Sequence, residues 1–248
     1  MIALGLDLET TGLDKTKDRP IEVGLTLWST NYNRSLETHN FCIQSDGVTV
    51  TPEITRLTGV TPKMSEQGWT PEDAYEEVEH YISRADAIVA FNGRRFDIPM
   101  LHSWAKRLGK EFPAKFIIDP STDLPDTNDA PSPPMPREPQ ITMCARRGIY
   151  YPAHEAGADV NAMLRLMATA KFEYVLKRAE SPLIVVQSHQ NRNENRKASK
   201  HKFRWNPDKK VWWRAIQEID LDYLHKQINN EFPISECQYP LEVLDTND

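Results

Sequence analysis

The sequence predicts an α/β domain, a mixed sheet covered by helices, followed by a small basic and aromatic α+β extension. Three observations predict it. Strand-like apolar segments come first and then alternate with helical ones, the order expected of a mixed sheet with helices on its faces. At 248 residues and 39% hydrophobic content, the chain can bury one sizeable core plus a small appendage. The composition then shifts. Between His189 and Arg214, nine basic residues face only Glu194 and Asp208. That segment carries +7 and leaves −13 on the remainder, against a formal net charge of −6. Residues 1–180 are therefore read as the main domain and 181–248 as the extension.

"MIALGLDLE" is the first strand, and "PIEVGLTLWST" the second, with alternating apolar Ile21, Val23, Leu25 and Leu27. "NYNR" is a hairpin turn into a third strand, "SLETHNFCIQ". "TPEITRLTGVT" has turn chemistry at both ends of a short helical centre. "TPEDAYEEVEHYISRA" carries a full helix start: Thr70 as N-cap, Pro71 at the first helical position and Asp73 in the first turn. "AIVAF" is a short buried strand. "FDIPMLHSWAKRLG" is a helix that takes Pro99 in its first turn and stops at Gly109. "FIID" is another short strand. Residues 120–139 hold seven prolines and no aromatic, which predicts a loop without regular structure. "ITMCARRG" and "AGADVNAMLRLMATAKFEYVLKRAE" are helices, and "PLIVVQ" is a strand.

Cys42, Cys144 and Cys237 are widely spaced and odd in number, so neither a disulfide framework nor a zinc pattern follows. A reducing, cytoplasmic location is expected. The N-terminus has no basic start and acquires acid within ten residues, unlike a signal peptide. No apolar run approaches the roughly 20 residues of a membrane span, so no membrane association is expected. The overall negative charge argues against generic nucleic-acid binding.

"LGLDLETTGLD", residues 4–14, puts Asp7 and Glu9 on one face of an otherwise apolar strand. Two like charges side by side are destabilising unless something neutralises them. A divalent cation would do so, because magnesium and manganese prefer hard oxygen ligands. Thr10, Thr11 and Gly12 then make an abrupt turn that lets backbone approach a ligand. Two cations need more carboxylates, and Asp97 and Asp159 are the candidates. Taken singly, each has an ordinary reading: Asp97 as a helix N-cap, Asp159 as a solvated helix acid, His154 as a surface histidine.

Together, "DLETTGL", "NGRRFDIPML" and "HEAGADVNA" resemble, in order, the three motifs of the DEDD-type 3′→5′ exonucleases. The resemblance is to the group that includes proofreading subunits, RNase T and oligoribonuclease, and it covers roughly residues 1–175. "TPEITRLTGVT" resembles that family's segment between the first two motifs. Histidine stands five residues before Asp159, as in the histidine (DEDDh) subclass, and Glu155 occupies the position where the tyrosine subclass has tyrosine. The resemblance implies a ribonuclease H-like fold and two Mg²⁺ or Mn²⁺ ions held by Asp7, Glu9, Asp97 and Asp159. It implies His154 as general base, since an imidazole titrating near 6.5 can take a proton at neutral pH. It also implies a seat for the terminal nucleotide made by Thr10, Thr11, Gly12 and Leu13, with Asn92 and Phe96 nearby. Phe96 also reads as plain core. Arg94 and Arg95 depart from the small or apolar residues usual there, and read either as phosphate holders or as solvated cations. The implied reaction is hydrolysis from the 3′ end of DNA, with RNA as the alternative and a non-catalytic nucleic-acid-binding protein as a third reading.

The extension lies outside the resemblance. "KFRWNPDKKVWWRAI" sets three of the six tryptophans among lysines and arginines. Trp205, Trp212 and Trp213 could stack on bases while Lys202, Arg204, Lys209, Lys210 and Arg214 hold phosphates. The same pattern reads as a hairpin around "NPDKK" with the aromatics as a tiny core and basic edges towards nucleic acid. "QSHQNRNENRKASK" is a linker or a helix of this module, and "LDYLHKQINNEF" a closing amphipathic helix. A protein partner through the extension is the rival expectation. Oligomeric state is not legible.

Overall fold

Five strands build the first sheet: β1 (Ile2–Thr10), β2 (Pro20–Ser29), β3 (Arg34–Cys42), β4 (Ala87–Val89) and β5 (Phe116–Ile118). Their order is β3–β2–β1–β4–β5. The first three strands pair antiparallel, while β4 and β5 continue from β1 in parallel. This is the mixed sheet expected, flanked by helices in the α/β manner. The computed structural model describes residues 1–125, 138–191 and 195–244. The chain divides into two compact units, Met1–Ala179 and Glu180–Asp248.

Strand alternation sends Leu4, Leu6 and Leu8 to one face of the sheet. There they join a core with Val78, Ile82, Met100 and Leu101 from α3 (Pro71–Ser83) and α4 (Asp97–Arg107). The short helices α1 (Pro52–Thr58) and α2 (Pro62–Glu66) precede α3. Thr70 caps α3 as its sequence requires, its hydroxyl accepting from the Asp73 N–H, a contact of about 1 kcal/mol. The opposite face holds Ala3, Ala87 and Val89 against α6 (Gln140–Arg146) and α7 (Ala156–Met167). Here α7 presses close. A Cβ on Gly5 would stand 2.9 Å from Leu164 and Val160, and one on Gly24 would stand 2.5 Å from the Ala156 carbonyl oxygen.

Three expectations need correction. β2 is buried along its whole length rather than on alternate residues, because helices cover both faces of this central strand. The proline-rich stretch begins with a helical turn, α5 (Pro120–Asp123): Asp119 accepts from the Ser121 N–H and Pro120 supplies the first position. Residues 126–137 of that stretch lie outside the described residues. The helical run after Ala156 breaks between Met167 and Phe172, where the Thr169 hydroxyl donates to the Leu166 carbonyl. A separate α8 (Phe172–Glu180) follows.

In the second unit, β6 (Leu183–Ser188), α9 (Asn195–Lys200), β7 (Arg204–Asn206), β8 (Val211–Gln217), α10 (Leu221–Ile228), β9 (Ile234–Glu236) and α11 (Leu241–Leu244) succeed one another. The strands pair antiparallel in the order β7–β8–β6–β9. Val186, Phe203, Trp212, Ile216, Leu224 and Phe232 form its core. The hairpin around "NPDKK" is present as β7 and β8. β9 and α11, which follow the closing helix, have no counterpart in the sequence reading. Among the described residues, no helix is long and apolar enough to cross a membrane.

Candidate active site

β1 delivers Asp7 and Glu9 to the face that α7 covers, and α7 delivers Asp159 from its first turn. Each of the three offers a carboxylate oxygen, and these oxygens lie within 4.8 Å of one another. Asp97, the first residue of α4, is buried beside them, and its Oδ1 accepts from the Leu8 N–H at 3.1 Å. That bond ties the start of α4 to β1. It is not the N-cap suggested by its position, because Phe96 occupies that place and Asp97 is already helical.

Glu22 makes a fifth acid. It lies on β2 directly opposite Glu9. The electrostatics record the crowding. Desolvation, with the charges of Asp97, Asp159, Glu9 and Glu22, holds the Asp7 carboxyl well above the usual range. Burial first, then Asp159, Glu22 and Asp97, push Glu9 up to about 8. Burial raises Asp97 to about 7, and raises Glu22 as well. Each of these four acids holds its proton more tightly than an exposed carboxylate does. The donor set is all oxygen, anionic and convergent, which fits hard divalent cations.

Asp159 is held from several sides. Its Oδ1 accepts from the Tyr151 hydroxyl at 2.9 Å and from Gln140 Nε2 at 2.9 Å. Its Oδ2 accepts from the backbone N–H of His154 at 2.7 Å and of Glu155 at 3.3 Å. His154 itself is exposed and has φ +67°, a left-handed backbone that is uncommon away from glycine and is favoured where local constraints hold it. The bond from its own N–H to Asp159 is one such constraint.

The residues of the expected nucleotide seat are placed less uniformly. Thr10 donates its hydroxyl to the Gly12 carbonyl at 2.6 Å, and Thr11 donates to Asp18 at 2.9 Å. The Thr11 amide donates to the Arg19 carbonyl. These groups are spent shaping the β1–β2 connection, which leaves Leu13, 77% exposed, projecting from it. Asn92 is also left-handed, at φ +56°, and its N–H donates to Asp119. Phe96 packs against the core, in line with its plainer reading. Arg94 is exposed yet tied to the fold, so it is not a simple solvated cation. Its guanidinium pairs with buried Asp123 at 2.9 Å and donates to the Ile117 carbonyl at 2.7 Å. Arg95 is exposed beside it.

In the extension, Trp212 and Trp213 are 7% and 4% exposed, so their faces are not open to bases. Trp205 is half-buried, 5.5 Å from the Trp212 ring. Arg214 is turned inward and donates to the His201 carbonyl. Lys202, Arg204, Lys209 and Lys210 are exposed, with Arg204 over the Trp213 ring and Lys209 over Tyr239.

Residues 4–167 match the sequence profile of the RNase T family, described as exonuclease. The chain belongs to this exonuclease family. Its DEDD motif set and its sheet agree with that membership. Solved structures share the fold of this exonuclease-family chain. Escherichia coli exonuclease I bound to a dA16 oligonucleotide is 18% identical, with a TM-score of 0.58 over 75% of this chain and 48% of that one. Exonuclease I in a study of how processivity is achieved is 15% identical, with a TM-score of 0.64 over 92% and 67%. A 3′-exonuclease that recognises the 3′ end of a histone mRNA stem-loop is 14% identical, with a TM-score of 0.52 over 67% and 80%. At these identities the likeness is one of fold. The chain spans about half the length of the dA16-bound exonuclease I chain. No curated protein matches it.

The reading of residues missed Glu22, Gln140 and Tyr151. For Glu22 a signal existed: it is a lone charge inside "PIEVGLTLW", and lone charges in apolar strands are rarely buried without a partner. Gln140 and Tyr151 carried no comparable signal, since their meeting at Asp159 depends on how α6 packs on α7.

Proposed function

We propose that this chain is a metal-dependent 3′→5′ exonuclease that removes nucleoside 5′-monophosphates from the 3′ end of DNA. The convergence of Asp7, Glu9 and Asp159 oxygens within 4.8 Å, beside buried Asp97, carries the reading. Asp7, Glu9 and Asp159 would hold one divalent cation, and Asp7 with Asp97 a second. Bound there, the ions would acidify water and offset charge on the phosphate. Water attacks phosphorus, and the P–O3′ bond breaks. The O3′ oxygen leaves with the bonding electron pair and takes a proton from solvent water, so the shortened strand keeps a 3′-hydroxyl and the released nucleotide keeps the 5′-phosphate. His154 takes the proton from the attacking water, as in the DEDDh subclass. Its exposure gives it access to solvent and substrate. Leu13, exposed on the β1–β2 connection that follows Glu9, would pack against the terminal nucleotide.

The dA16-bound exonuclease I supports DNA, and the histone mRNA 3′-exonuclease keeps RNA as the second reading. All five catalytic positions hold the required residue types, which disfavours a non-catalytic binder. The deciding experiment digests 5′-labelled DNA and RNA, single- and double-stranded, with EDTA, Mg²⁺ or Mn²⁺. A ladder shortening from the 3′ end of DNA only with metal is expected. Metal-independent cleavage, or none of any substrate, overturns the proposal. Faster shortening of RNA transfers it to RNA.

A further inference from the structure

Glu22 is a buried acid, 6% exposed, to which the reaction above gives no task. Its Oε2 accepts from the Ala156 N–H at 3.2 Å, and its Oε1 accepts from Asn40 Nδ2 at 3.3 Å. Ala156 is the first residue of α7, and Glu155 before it makes no side-chain cap. The first N–H groups of a helix have no partner inside it, and a negative charge is stabilised beside them. Glu22 therefore acts as a cap supplied from another element, 134 residues earlier in the chain. On the same face of β2, Gly24 would place a Cβ 2.5 Å from the Ala156 carbonyl oxygen. Strand and helix start thus meet with no room for a side chain between them, and the hydrogen bond fixes where along the strand they meet.

We propose that Glu22 is a positioning residue: its carboxylate anchors the start of α7 on β2 and so sets Asp159 against Asp7 and Glu9. Asp159 is three residues after Ala156, within the same helical turn, so a slip at Ala156 moves it directly. The His154 segment follows, because its backbone N–H is bonded to Asp159. The consequence for turnover rests on the exonuclease reading above, whereas the anchoring of α7 does not.

The test pairs two readouts on full-length protein. Hydrogen–deuterium exchange of residues 154–160, in EDTA, reads the anchor. Turnover of a 5′-labelled oligonucleotide in Mn²⁺ reads its consequence. Glu22→Ala should speed exchange there about fivefold, the loss of one cap. Its turnover should fall about 10–100-fold, in kcat more than KM. Glu22→Gln keeps an acceptor for the Ala156 N–H, and an Asn40 amide turned over can still pair with it. Exchange should return to within about twofold of wild type, and most of the turnover with it. Unchanged exchange and turnover in Glu22→Ala would overturn the proposal. So would a Glu22→Gln variant with normal exchange but turnover as low as alanine, since charge rather than anchoring would then matter. Should Glu22→Ala fail to fold, Glu22→Gln decides: near-normal values support the anchor, and a tenfold loss of turnover with normal exchange overturns it. A wild-type protein that cleaves nothing sinks the exonuclease reading, and the exchange comparison still judges Glu22.

Discussion

The two units hold their charges in opposite ways. In the first, Asp7, Glu9, Glu22 and Asp97 gather at one end of a sheet, and their carboxyls are pushed up by burial and by the charges of neighbouring acids. In the second, Lys202, Arg204, Lys209 and Lys210 lie on the surface, while Trp212 and Trp213 go inside. Buried like charges cost folding energy, and a bound cation removes that cost. Exposed cations cost almost nothing, so their presence implies no ligand by itself. The +7 segment is the louder signal in the composition and the weaker one in chemistry.

The sharpest way to break the comparison is to remove a buried acid. Asp7→Ala and Asp159→Ala should each nearly abolish metal-dependent cleavage. Asp7→Ala should leave thermal stability in EDTA equal to or above wild type, because one repelling charge is gone. Circular dichroism melts beside a cleavage assay check both. An Asp7→Ala variant that unfolds in EDTA would give the acid a structural role and remove the contrast with the second unit.

His154 tests the other half of the first unit. As general base it should contribute about 10²–10⁴-fold to turnover. Being exposed, it should contribute little to folding. His154→Ala should therefore lose turnover by that factor while keeping its melting temperature and its stabilisation by Mn²⁺. Near-wild-type turnover would remove the base assignment.

The contrast also explains what was legible in sequence. The meeting of Asp7, Glu9, Asp97 and Asp159 could be read because each sits in a local string of fixed spacing, and local strings survive without knowledge of packing. The strands and the Thr70-capped helix were legible for the same reason. Glu22, Gln140 and Tyr151 act across elements, so nothing near them in sequence names their partner. Arg94 was ambiguous until Asp123 appeared beside it. Trp212 and Trp213 read equally as stacking platforms or as core, because an aromatic among cations suits both. Only burial separates the two.

Protons and metal ions should compete at the buried acids, which yields a smaller effect with a defined sign. Glu9 is raised to about 8 and Asp97 to about 7, from ordinary values near 4. The folded chain therefore keeps protons that the unfolded chain has released. That stability is fully present below about pH 4 and is lost as pH rises through 7 and 8. Other groups add their own dependence, so the comparison is the Glu9→Gln variant, whose melting temperature in EDTA should fall less between pH 5 and pH 8. Cation binding should displace the protons, so Mn²⁺ should stabilise the wild type more at pH 8 than at pH 6. At about 100 times its Kd the ion adds about 2.7 kcal/mol. Equal stabilisation at both pH values would mean that the acids are not held protonated.

The exposed cations give the smallest effect, and the one on which the second half of the comparison rests. Lys209 and Lys210 lie at the β7–β8 turn, and both are exposed. Replacing both with glutamine should change folding stability by no more than about 0.5 kcal/mol, as for ordinary surface positions. If these lysines hold a strand while the carboxylates cut it, binding to a single-stranded 30-mer should weaken. The slope of log K against log salt should then fall by about 0.7 for each phosphate no longer gripped. Cleavage of a dinucleotide should not change, since it is too short to provide distant phosphates. The measurement is a salt titration of 30-mer binding, set beside dinucleotide turnover in the same variant. An unchanged slope would leave these charges as solvated surface, the ordinary state of exposed lysines. Loss of dinucleotide turnover as well would show that the turn supports the catalytic unit rather than the distant strand. Only the selective loss gives the exposed charges a ligand, as burial does for the acids.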